Sequence, residues 1–123
     1  FDQATAILKS KRAGFAALSG EDALLLPVMS LGFEGVISVI ANVLPNDYAC
    51  LVKSALQGDY PTARRIHLDR AELCKALFEE GNPAGIKAAL HAAGIIRQNT
   101  LRLPLTPVSD ALYNKIIGLL KLH

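Results

Sequence analysis

A chain of 123 residues is one domain's worth of sequence, long enough to bury roughly two-thirds of the surface that its unfolded form exposes. Hydrophobic residues make up 51% of it at a mean hydropathy of +0.30, high for a free-standing domain and suited to a chain that packs against something else. The 13 basic and 11 acidic residues are well mixed, net charge +2, which excludes a dedicated nucleic-acid binder with its basic stripe, and no apolar run nears the roughly 18 residues of a membrane helix, the longest, Ala23–Met29, being interrupted by Pro27.

No signal peptide is expected from the opening residues. Phe1-Asp2-Gln3 reads like the first turn of a helix and the only methionine is Met29, so the start is expected to be a cut inside a larger protein. Asp2 reads as an N-cap, with Ala4, Ile7 and Leu8 on one apolar face behind it. This helix is expected to end near Arg12, where the densest basic run, Lys9-Ser10-Lys11-Arg12, complements the helix dipole as a solvated end. Gly14 follows. Phe15-Ala16-Ala17-Leu18 is continuously apolar and bounded by turn residues, the pattern of a strand buried on both faces. Ser19-Gly20-Glu21-Asp22 breaks it, and a helix runs on through Leu31 with a kink expected at Pro27. Gly35-Val36-Ile37-Ser38-Val39-Ile40, β-branched almost throughout, is the clearest strand. Apolar strands separated by a helix form a βαβ unit, hence parallel pairing with a right-handed crossover.

After Asn42 everything reads as helix and connector. Tyr48, Leu51, Val52, Ala55 and Leu56 follow helical spacing, Gly58 closes that helix and Asp59 caps the next. Ala63, Ile66, Leu73, Cys74 and Leu77 form the next stripe, which Gly81 stops. Asn82-Pro83 reads as an N-cap followed by an N1 proline, with Ile86, Ala89, Leu90 and Ala93 as the following face, closed by Gly94. Leu101–Pro107 is an extended connector, and the last helix is expected to start near Ser109 and run toward Leu122.

Individual chemical groups read plainly. Cys50 and Cys74 stand alone on amphipathic helices, as reduced thiols of a cytosolic protein do. His67 and His91 match no metal spacing, and neither a metal nor a cofactor is expected. Arg70 falls inside an apolar stripe, where a structural ion pair is expected. Lys87 lies within a helix rather than at a strand end, with nothing to depress its pKa, so no Schiff-base role is assigned to it.

Several segments, in order and at matching spacing, carry a resemblance. Leu18-Ser19-Gly20-Glu21-Asp22 and Gly35-Val36-Ile37-Ser38-Val39, the latter followed by Ala41-Asn42, resemble the seventh and eighth strands of the dihydrodipicolinate synthase family. Asn82-Pro83-Ala84-Gly85-Ile86-Lys87 resembles that family's NPxxxK helix start, and Leu101-Arg102-Leu103-Pro104-Leu105-Thr106-Pro107 its RLPxxP connector. The resemblance runs from Phe1 to His123. It implies an α/β fold, the C-terminal part of a (β/α)8 TIM barrel. Residues 1–44 would hold its last two parallel strands, near 15–18 and 35–40. Residues 45–123 would hold the closing helix and a C-terminal helical region, so that the chain is mostly helical. Two strands make no comfortable sheet alone, so their outer edges call for the remainder of the barrel.

The resemblance also implies a function. The family is a lyase of lysine and diaminopimelate biosynthesis that condenses pyruvate with aspartate semialdehyde. It is expected in the cytoplasm as a homotetramer, without a cofactor. Pyruvate is held as a Schiff base on a lysine at the end of the sixth strand, with a tyrosine from an earlier strand relaying protons. By the match that lysine lies a few residues before Phe1, so no catalytic residue is expected in this chain. The resemblance places the backbone carbonyl of Ile37 at the pyruvate pocket and Gly20 at its mouth, both at strand ends where this fold keeps its chemistry. Glu21 departs from the pattern, standing where many relatives have Asp. The alternatives are a related pyruvate aldolase of the N-acetylneuraminate lyase kind and a non-catalytic helical interaction module. The β-branched strand Gly35–Ile40 weighs against the latter.

Overall fold

The computed structural model describes residues 1–121. Two short strands, β1 (Leu18–Ser19) and β2 (Gly35–Val36), pair in parallel with Leu18 opposite Gly35 and Ser19 opposite Val36. Flanking bonds lengthen the ladder: the Glu34 amide donates to the Ala17 carbonyl at 2.8 Å and the Ile37 amide to the Ser19 carbonyl at 2.9 Å. Helix α1 (Asp2–Ser10) precedes β1, and α2 (Leu25–Met29) bridges the strands, entered through a 3-10 turn at Asp22–Leu24. After β2 comes a second 3-10 turn, Ile40–Asn42, and then α3 (Pro45–Leu56), α4 (Tyr60–Ala76), α5 (Ala84–Ala92) and α6 (Asp110–Lys121). Leu122, toward which the last helix was expected to run, lies outside the described residues.

The expected order of elements and the parallel pairing are present, but several boundaries need correction. The first strand is shifted toward Ser19, and only its alternate residues Ala17 and Ser19 are buried, whereas Phe15 and Leu18 stay exposed. The second stops at Val36, because the chain from Val39 onward coils into the 3-10 turn that Asp22 and Ser38 hold. Among the described residues neither strand has a neighbour on its other edge, so the β-branched run has nothing to extend against. Pro27 makes no mid-helix kink. It is the third residue of α2, within the first turn, where a missing amide proton costs nothing. Asp2 is already helical, behind Phe1 as N-cap. α5 begins at Ala84 with Pro83 in the capping position, so Asn82 does not serve as the cap; the Asn82–Pro83 bond is cis. Asp59 does cap α4, accepting from the Thr62 amide at 3.2 Å, and the Thr62 hydroxyl first and this amide second hold its carboxyl below the usual range.

One main core gathers residues from both ends of the chain. Leu25, Met29, Ile40 and Val43, next to the strands, share it with Leu51, Leu77 and Ile116 from α3, the end of α4 and α6. A small second cluster, Ala17, Val28 and Phe33 with Ala4 and Leu8, fixes α1 to the strand pair. Arg70 forms the expected ion pair: from α4 its Nε donates to the Asp47 carboxylate of α3 at 2.6 Å, with the side chain only 13% exposed. Gly85 lets the start of α5 lie directly on the end of α4, since a Cβ there would stand 2.6 Å from the Leu77 carbonyl carbon.

Candidate functional site at the strand ends

The two strands end side by side, which sets Gly20 and Ile37 next to each other on one rim. Both are exposed, Ile37 strongly so at 72%, so its side chain is no core residue despite its β-branched setting. Its amide is held by Ser19, while its carbonyl accepts no hydrogen bond from the described residues and is free to meet a ligand. Gly20 does not adopt a left-handed conformation, and a Cβ there would meet nothing within 4 Å. The backbone turn does not require glycine; what glycine provides is an open rim. Around it Ser19 makes a tight loop, its hydroxyl donating to the Glu21 carbonyl at 2.9 Å and accepting from the Glu21 amide at 3.1 Å.

Asp22 is the residue that reading the sequence missed, where it counted only as part of a strand-breaking turn. It is 3% exposed. Its Oδ2 accepts from the amides of Val39, at 2.9 Å, and Ile40, at 3.2 Å, so it caps the 3-10 turn after β2 from the loop after β1. Its Oδ1 is buried without a partner. The signal available in the sequence was an acidic side chain two residues beyond Gly20, facing a second strand end that brings only Ser38 as a cap of its own. Ser38 Oγ takes the Ala41 amide at 2.9 Å, which leaves Val39 and Ile40 for Asp22.

Beside this loop a cavity of about 580 Å³ opens toward α4, lined among others by Glu21, Asp22, Tyr48, His67, Cys74 and Phe78. Burial, and then the negative charges of Asp22 and Glu21, push the Cys74 thiol up to about 11. Burial first, with the neighbouring Cys74 and Asp22 behind it, also raises the Tyr48 hydroxyl, and burial lowers His67. Groups shifted this way stay neutral near pH 7, so the cavity holds no activated thiolate. Among the described residues no group of three or more His, Cys, Asp or Glu side chains is placed to hold a metal ion, and no helix is long and apolar enough to cross a membrane. Lys87 sits on α5 with its Nζ donating to the Thr100 carbonyl. No lysine stands on β1, on β2 or on the loops that follow them. By itself this rim can accept a hydrogen bond through the Ile37 carbonyl, and its Ser19 hydroxyl is already engaged with Glu21.

Two parallel strands with intervening and following helices, and polar groups gathered at their C-terminal ends, are the closing part of a (β/α)8 barrel with a helical extension. The family model described as the dihydrodipicolinate synthetase family matches residues 1–123, and the chain belongs to that family. It is 49% identical over 115 residues to the 4-hydroxy-tetrahydrodipicolinate synthase of Azobacteroides pseudotrichonymphae, covering 94% of this chain and 38% of that protein. The crystal structure of dihydrodipicolinate synthase from Aquifex aeolicus superposes with a TM-score of 0.93 at 42% identity, over 98% of this chain and 41% of that one. The chloride-inhibited dihydrodipicolinate synthase of Acinetobacter baumannii, solved in complex with pyruvate, superposes with a TM-score of 0.89 at 32% identity, over 98% and 41%. The chain thus spans about two-fifths of the length of these relatives.

Proposed function

We propose that this chain supplies the C-terminal part of a 4-hydroxy-tetrahydrodipicolinate synthase, a Schiff-base lyase that condenses pyruvate with aspartate semialdehyde on the way to diaminopimelate and lysine. Residues 1–44 close the barrel, and residues 45–123 form the closing helix and helical extension. The observation that carries this reading is the pairing of Gly20 and Ile37 on one rim of parallel strands, within a chain whose relatives carry that enzyme's name. Those names favour the synthase over a pyruvate aldolase of the N-acetylneuraminate lyase kind, and the family match over the whole chain favours it over a helical interaction module. In this reading the Ile37 carbonyl faces pyruvate, Gly20 leaves room for substrate at the mouth, and the covalent lysine and the proton-relaying tyrosine come from the preceding part of the barrel. The complete enzyme acts in the cytoplasm as a homotetramer.

Reduction with borohydride in the presence of pyruvate tests this. We expect the complete protein to gain a stable pyruvate adduct on a lysine N-terminal to Phe1, and the 123-residue chain alone to gain none. An adduct on a lysine of this chain, or none on the complete protein, would overturn the reading.

A further inference from the structure

We propose that Asp22 is a positioning residue for the 2-oxo acid: by clamping the backbone beyond β2, it fixes the Ile37 carbonyl against the rim of Gly20. The inference rests on the reading of the Ile37 carbonyl as a pyruvate contact and goes beyond it, because Asp22 itself touches no substrate in that reading.

The segment Ile37–Ser38 is tied across the strand pair only at its two ends; between them Ser38 bonds only forward into its own turn, its Oγ accepting from the Ala41 amide at 2.9 Å and its carbonyl from the Asn42 side-chain amide at 3.4 Å. On one side the Ile37 amide bonds the Ser19 carbonyl of β1 at 2.9 Å. On the other, the amides of Val39 and Ile40 bond Asp22 Oδ2. The clamp therefore comes entirely from β1 and the loop after it, which also carries Gly20. Moving Asp22 changes the distance between the two candidate contacts rather than the position of either alone. A carboxylate accepting from amides makes stronger bonds than a neutral acceptor does, and Asp22 is almost wholly buried, where such bonds are little weakened by solvent. Val39 is the N-cap of the 3-10 turn and makes no side-chain hydrogen bond to it. Without Asp22 its amide and that of Ile40 lose their only acceptor among the described residues, and the turn, still closed on itself through Ser38 and Asn42, loses its tie to the β1 side and shifts, carrying the Ile37 carbonyl with it.

The test is steady-state pyruvate kinetics of the complete protein with Asp22→Ala and Asp22→Asn. Displacing a substrate-holding group by about 1 Å costs up to about a hundredfold; we expect Asp22→Ala to raise the KM for pyruvate about tenfold with a much smaller change in kcat. Asp22→Asn keeps an oxygen that both amides can share and should return KM to within about threefold of the parent, because its bonds are only about half as strong as the carboxylate's. Should Asp22→Ala fail to fold, Asp22→Ser carries the test, its hydroxyl being too short to reach both amides, with the same rise in KM expected. A folded Ala or Ser variant with an unchanged KM overturns the proposal. So does a fall in thermal stability and active fraction that leaves KM untouched, since that is the behaviour of a purely structural residue. If the parent protein forms no pyruvate adduct, the reading of the site fails before any variant is made, and the positioning role falls with it.

Discussion

Cys50 and Cys74 are the same side chain in opposite surroundings. Cys50 faces outward on α3, and Cys74 is buried against Tyr48. A thiol must ionise to react, and burial opposes that. We expect a thiol reagent at pH 8 to modify Cys50 readily and Cys74 only after unfolding, as peptide mass mapping would report; rapid labelling of Cys74 in the folded protein would contradict its placement. The same burial gives a pH dependence. The Cys74 thiol ordinarily loses its proton at 9.0 and in the folded chain at about 11, so its contribution to stability is intact below pH 9 and lost as pH rises to 11. Tyr48 is raised in the same direction. Urea midpoints should fall over that window, and Cys74→Ala should flatten part of the fall. At this scale Arg70 was legible, because a lone charge in an apolar stripe calls for a partner, here Asp47. Asp22 was not, because its partners are backbone amides 17 and 18 residues away that no periodicity marks.

Among the elements, the contact of α5 with the end of α4 depends on one missing side chain. The Gly85 backbone lies against Leu77, and the obstacle to a larger residue is main chain rather than a flexible side-chain tip. Gly85→Ala should therefore destabilise by about 1–3 kcal/mol through overpacking, although alanine favours helices intrinsically. Unchanged thermal melting of that variant would show that the helices can separate freely. The sequence suggested Gly85 only as a member of a motif; the close approach that demands it arises between helices. Helix positions from α3 onward were readable because a 3.6-residue apolar period and residues such as Gly58 and Asp59 mark them locally. Strand limits were not, because a β-branched run shows what could pair and says nothing of where a neighbouring strand is available.

At the scale of the whole molecule, the strand pair presents edges unpaired among the described residues, with exposed Phe15, Leu18 and Ile37 close to them. Such edges and apolar surface recruit other chains. We expect the isolated 123-residue chain to self-associate in sedimentation experiments, and to be suppressed in doing so by the preceding barrel segment supplied in trans. A cooperatively folding monomer at high concentration would contradict this. The shared core has a further consequence in time. Chains leave the ribosome from the N-terminus, and domains generally fold as units during synthesis. Leu25 and Ile40, beside the strand ends, are packed in the same cluster as Leu77, Ala88 and Ile116, which are synthesised long after them. The rim that carries Gly20, Asp22 and Ile37 is thus made before the helices that brace it, and its final shape has to wait for them.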